Sequence, residues 1–109
     1  MRVLLDEQID TALRRHFAED SEVETVEYRG WKSLENGALL SRAARSFDAF
    51  ITSDQGIEHQ QPVQDVAMRF IVFEAPTNQI EHHRPLVAPA QKALREMASG
   101  EIRRVKAPS

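Results

Sequence analysis

The chain has 109 residues, 41% of them hydrophobic, with 14 basic and 17 acidic side chains and a formal net charge of −3. That length permits one compact domain around a single core, and the apolar content excludes a wholly disordered chain. Cysteine is absent, which excludes disulfides, thiolate zinc sites and cysteine nucleophiles together.

No apolar run approaches the ~20 residues that cross a bilayer, and the opening apolar stretch is too short for a signal peptide. The expected address is therefore cytoplasmic, with no membrane partner. A surplus of acids argues against a surface generally coated by nucleic acid. The charge is uneven, however: residues 1–54 carry seven basic and eleven acidic groups, and residues 55–109 carry seven and six. A local basic patch remains open; a global one does not.

Residues 2–5 form a Val- and Leu-rich run that predicts a strand buried on both faces, ending at Asp6-Glu7. Ile9, Ala12, Leu13 and Phe17 recur at helical spacing. Residues 23–26 predict a second strand, and Glu22, Glu24 and Glu27 suggest a sheet edge. Gly30-Trp31 marks a turn. Asn36 is the expected N-cap of a helix that turns Leu39, Leu40, Ala43, Ala44 and Phe47 inward.

Residues 49–52 predict a third strand that stops at Ser53-Asp54, and residues 70–73 a fourth, closed by Ala75-Pro76. Thr77 or Asn78 then caps a helical stretch with Ile80, Leu86, Ala90, Leu94 and Met97 inward. Pro85 and Pro89 predict a kink or two helices in place of one rod. Ser99-Gly100 ends that stretch, and residues 102–105 offer a final strand whose position is left open. The expectation is one domain over residues 1–105 with a flexible tail at 106–109.

Strand–helix alternation of this kind implies an α/β fold: a three-layer, doubly wound, mainly parallel sheet of four to five strands flanked by helices. The expected order is 2-1-3-4. Ligands then bind in the crevice between the carboxyl ends of the first and third strands. Asp6, Glu7 and Asp54 lie just past those ends.

Carboxylates that face one crevice repel each other unless a cation lies between them, and oxygen-rich sites with retained waters suit Mg²⁺ or Mn²⁺. Such a cation can activate water for phosphoryl displacement. Asp6 and Asp54 are the candidate ligands. Glu7 could reach the ion directly or through a water, and Glu35 could swing in from the start of the second helix. The alternative is that acids after strands cap the next turn or face water.

The residues at 3–7 (Val-Leu-Leu-Asp-Glu), Gly30-Trp31, Asn36-Gly37 before Leu39-Leu40, and 47–54 (Phe-Asp-Ala-Phe-Ile-Thr-Ser-Asp) together resemble a bacterial PIN-like domain family. Gln60-Gln61 and 75–78 (Ala-Pro-Thr-Asn) continue the likeness in order, over residues 1 to about 105. Its members are compact relatives of PIN nucleases and VapC-type toxins, often encoded beside a small antitoxin-like protein.

The resemblance implies an Mg²⁺-dependent, RNA-cleaving fold, with Asp6 as the acid after the first strand, Glu7 beside it, and Asp54 as the acid of a Thr-x-Asp motif. It also makes a homodimer plausible. The chain departs from the pattern at Ala38, where relatives carry Glu, at Gly56, where they carry Asp or Asn, and at Gln8, where they carry Asn. The departures at Ala38 and Gly56 favour a second class of function, a non-catalytic interaction module.

A third class is a receiver-like phospho-acceptor, with Asp54 as acceptor and Lys106 near the last strand; Gln55-Gly56 departs from the usual turn there.

Other side chains each have two readings. His59 could donate to a phosphate or be an ordinary loop residue, and Asn78 could contact a ligand or cap a helix. Arg14, Arg15, Arg42 and Arg45 could steer RNA or form surface salt bridges. His82-His83 cannot easily share an ion, since adjacent helical positions point about 100° apart, so a solvated helix face is expected. Gln60-Gln61 could contact backbone or substrate. Trp31 is expected to pack over the sheet edge more than to stack on a base.

Overall fold

A computed structural model describes residues 1–59 and 66–107. Five strands form one parallel sheet in the order β2-β1-β3-β4-β5: β1 Arg2–Leu5, β2 Glu22–Thr25, β3 Ala49–Thr52, β4 Arg69–Glu74 and β5 Ile102–Lys106. The alternation of side chains along these strands splits the core in two. Val3, Leu5, Ile51, Ile71, Phe73 and Val105 face one side, and Leu4, Phe50, Phe70 and Val72 face the other.

Helices cover both faces. Helix α1 is Val26–Arg29, α2 is Asn36–Ala43, α3 is Ile80–His83 and α4 is Val87–Glu96, with 3-10 turns at Thr11–His16, Ile57–His59 and Arg84–Leu86. The first 3-10 turn and α4 bury Leu13, Val87, Ala90 and Leu94 on the first face, and α2 buries Leu39, Leu40 and Ala43 on the second. Truncating a core Leu such as Leu40 to Ala costs about 2–5 kcal/mol. No helix among the described residues is long and apolar enough to cross a membrane.

Several local expectations shift by a residue or an element. The stretch expected as a helix from Ile9 to Phe17 is a six-residue 3-10 turn at Thr11–His16, entered where Asp10 accepts the Ala12 N–H at 2.9 Å. Val26 leaves the second strand because Thr25 Oγ1 accepts the Tyr28 N–H and starts α1. Gly30 then ends α1 at φ 72°, in the left-handed region that favours glycine.

Asn36 is the first residue of α2 and Glu35 occupies its N-cap without a side-chain cap bond. The N-cap of α3 is Gln79, whose N–H donates to Thr77 Oγ1 at 3.1 Å. The Pro85 region does divide the helical stretch, through a 3-10 turn at Arg84–Leu86. Lys106, expected in the tail, is the last residue of β5 and pairs with Glu74. Pro108 and Ser109 lie outside the described residues, as do Gln60 and Gln61.

Candidate functional site

The order β2-β1-β3 puts β1 between its two neighbours, so the carboxyl ends of β1 and β3 lie side by side. The chain leaves β1 at Asp6, whose N–H donates to Ile51 O at 2.9 Å and so extends the pairing one residue past the strand. Asp6 is 8% exposed. Its Oδ1 accepts the Glu7 N–H at 2.8 Å, and its Oδ2 accepts the Thr52 hydroxyl at 2.6 Å.

Thr52 is fully buried at the end of β3. Its Oγ1 also accepts the Asp54 N–H at 3.0 Å and lies 3.5 Å from Gln8 Oε1. One hydroxyl therefore joins the two acids, as donor to Asp6 and as acceptor from the backbone of Asp54. The Asp54 side chain turns back on its own loop, where Oδ1 accepts the Gly56 N–H at 2.9 Å. Its Oδ2 accepts no hydrogen bond from the described residues.

Burial holds the Asp6 carboxyl above its ordinary range; the Thr52 and Glu7 hydrogen bonds pull it down, and the charges of Glu7 and Asp54 push it up again. Asp6 thus senses both neighbouring acids. Two carboxylates with spare lone pairs suit a cation such as Mg²⁺, which keeps most of its waters and commonly takes only one or two protein carboxylates.

The other expected site residues are more dispersed. Glu7 is exposed beside Asp6, and Glu35 is exposed at the start of α2, contributing nothing to the Asp6 electrostatics. His59 is exposed at the end of the 3-10 turn that follows Asp54, and Asn78 is exposed in the loop after β4. Arg14 and Arg15 line a groove of about 510 Å³ with Thr11, Phe17, Glu19 and Ser21, which includes neither Asp6 nor Asp54. Arg14 Nε there donates to Val23 O at 3.1 Å, halfway along the outer edge of β2. Ala38 is exposed on α2, and Gly56 follows Asp54 with room for a Cβ 3.6 Å from Asp54 Oδ1. Among the described residues no three His, Cys, Asp or Glu side chains come together as a metal-binding group.

The histidine pair is not a solvated face. His83 is fully buried, its ring 5.1 Å from that of Phe73, because α3 turns it onto the sheet. Burial, with a smaller effect from His82, lowers its pKa. His82 Nδ1 lies 2.6 Å from Thr77 Oγ1. Trp31 packs edge-on to Phe47 with ring centroids 6.4 Å apart, and the Arg29 guanidinium lies over both rings at 5.3 and 5.1 Å. Arg42 lies over Trp31 at 6.0 Å. Lys106 makes no ion pair with Asp54 among the described residues.

Thr52 and Gln55 are the positions that sequence reasoning passes over. Gln55 Nε2 donates to Ser53 O and Phe73 O, and its Oε1 accepts from Arg104 at 2.6 Å. The signal for Thr52 was a hydroxyl at the end of an otherwise apolar strand, two residues before an acid. No family model, curated protein or solved structure matches the chain.

Proposed function

We propose that this protein is a PIN-like, Mg²⁺- or Mn²⁺-dependent ribonuclease with a reduced, two-carboxylate site, acting as the toxin-like half of a pair with a small antitoxin-like protein. The observation that carries this reading is the buried Asp6, joined to Asp54 through the Thr52 hydroxyl and raised in pKa by burial and by adjacent negative charge. A buried acid with such neighbours is a common mark of a working site.

Asp6 and Asp54 would hold the cation. When bound, it supplies Lewis-acid stabilisation to a phosphoryl oxygen and makes water a stronger acid. Thr52 fixes one oxygen of Asp6, leaving the remaining lone pairs of the carboxylate to bind. Exposed His59 and Asn78 flank the carboxyl end of the sheet and would contact the RNA backbone or bases.

The second reading is a non-catalytic interaction module. Ala38 and Gly56 support it, and among the described residues no third side chain joins Asp6 and Asp54 in a metal-binding group. Calorimetric titration of Mn²⁺ into the wild type and an Asp6→Asn/Asp54→Asn variant, followed by incubation with RNA, separates the two. Heat and Mn²⁺-dependent cleavage in the wild type, both lost in the variant, support the nuclease. No heat from either folded protein leaves the interaction module.

A further inference from the structure

His83 is a buried side chain whose polar atoms nothing satisfies. It has no exposed surface, and among the described residues neither Nδ1 nor Nε2 has a hydrogen-bond partner. Its ring lies against that of Phe73, near the carboxyl end of β4, with centroids 5.1 Å apart. A neutral imidazole packs there as a largely apolar ring. An imidazolium in the same place is a buried cation with two unpaired donors, which is costly to keep out of water.

Among the described residues no carboxylate stabilises that charge. On α3 itself Glu81 is exposed and His82 half-buried. The Thr11–His16 turn, against which α3 packs, carries Arg14, Arg15 and His16, and its exposed cap Asp10 is engaged with the Ala12 N–H. Arg84 follows in the next 3-10 turn, and β4 offers Arg69, bonded to Met97 O, and Glu74, taken by Arg104. Of these groups only His82 acts on the titration of His83, and it opposes a second positive charge.

Helix α3 is also the element able to leave. It is a single turn of four residues whose N-cap, Gln79, makes no side-chain cap bond, and the N–H groups of His82, His83 and Arg84 bond back to Gln79 and Ile80. Among the described residues no backbone hydrogen bond fastens α3 to the sheet. Its attachment is His83 on Phe73 and the half-buried Ile80 on the same core. A helix this short does not persist once its packing is lost. We infer that α3 is a proton-operated latch: uptake of a proton by His83 releases α3 from the sheet at mildly acidic pH, while the five strands stay paired. Release uncovers Phe73 and withdraws packing from the Thr11–His16 turn, which follows Asp6 and Glu7 in the chain. The inference rests on His83 and its surroundings and is independent of the nuclease reading.

Burial first, and His82 second, hold docked His83 below its ordinary pKa. Released His83, with a pKa of about 6.5, therefore takes up the proton more readily. Above that pH both forms are neutral and α3 stays docked. Below it, each pH unit favours release by about tenfold until docked His83 itself titrates. The test is amide hydrogen exchange of the isotope-labelled full chain, followed by NMR from about pH 7.5 to about pH 5 and expressed as protection relative to the unfolded chain. Protection at the His83 and Arg84 amides should fall about tenfold per unit below pH ~6.5, with the β1 and β3 amides unchanged. His83→Leu, an apolar side chain of similar size, should abolish that dependence at Arg84, and His82→Gln should keep it. If His83→Leu does not fold, the imidazole nitrogens of the wild type decide, because His83 should protonate in step with the loss of α3 protection. Protection at Arg84 that is independent of pH overturns the inference. So does an equal loss in all five strands, the same pH dependence in His83→Leu, or a charged His83 ring with α3 still docked.

Discussion

Asp6 is the one carboxylate buried among the described residues, and its position costs the fold stability. Because burial raises its pKa, the folded chain holds the Asp6 proton more tightly than the unfolded chain does. Below the ordinary carboxylate pKa both states are protonated and no penalty arises. As pH climbs through the raised value, ionised Asp6 increasingly disfavours folding.

Asp6→Asn should therefore raise the Tm of the metal-free protein by a few degrees at neutral pH, with the gain vanishing toward pH ~4. An Asn can still accept the Glu7 N–H, so the loop keeps its geometry. Thermal melts of both proteins in chelator across pH check this, and an equal or lower Tm for the variant at neutral pH would refute it. Asp6 and Asp54 stand out in the sequence because each is an acid just past the end of a mostly apolar strand. The role of Thr52 was passed over although its hydroxyl closes an apolar strand two residues before an acid, because a Thr within residues 49–52 also looks like an ordinary strand former.

At the scale of elements, the sheet's exit loops are tied together by Gln55. Its amide donates to Phe73 O at 2.7 Å and its oxygen accepts from Arg104 at 2.6 Å, so one side chain fastens the loop after β3 to β4 and β5. Net contributions of about 0.5–1.5 kcal/mol per hydrogen bond are usual. Gln55→Ala should lower the Tm by about 4–8 °C for each kcal/mol lost. Amide exchange should quicken at Phe73, Glu74 and Val105 while β1 and β2 hold. Uniform acceleration across all five strands would show that Gln55 has no such local role.

The strands and their order through β4 were readable because buried parallel strands leave compact apolar runs, and alternation with helices leaves few topologies. The place of β5 was not, because Ile102 to Lys106 is mostly charged, with only Ile102 and Val105 apolar. The 3-10 turn after β1 was hidden for another reason. Ile9, Leu13 and Phe17 face the core at helical spacing, but the Asp10 side chain takes up the Ala12 N–H and the chain tightens. His83 was misread because two adjacent histidines suggest polarity, whereas helix α3 points one of them inward.

For the whole molecule, the acidic crevice couples stability to both metal and pH, and that coupling separates the two functional readings. If Asp6 and Asp54 bind Mn²⁺ in the folded state only, metal at a hundredfold over its dissociation constant stabilises the wild type by about 2.7 kcal/mol. For a chain of this size that is on the order of 10 °C in Tm. The Asp6→Asn chain, more stable without metal, gains far less. Adding Mn²⁺ at neutral pH should therefore reverse the order of the two melting temperatures.

Protons compete with the cation for Asp6, so the wild-type gain should shrink as pH falls toward the raised Asp6 pKa. The reversal is the informative outcome, because a loss of structure in the variant could not produce higher stability without metal and lower stability with it. If Asp6→Asn stays the more stable protein at every Mn²⁺ concentration, the buried acid is a structural cost unrelated to metal. The non-catalytic reading then takes precedence.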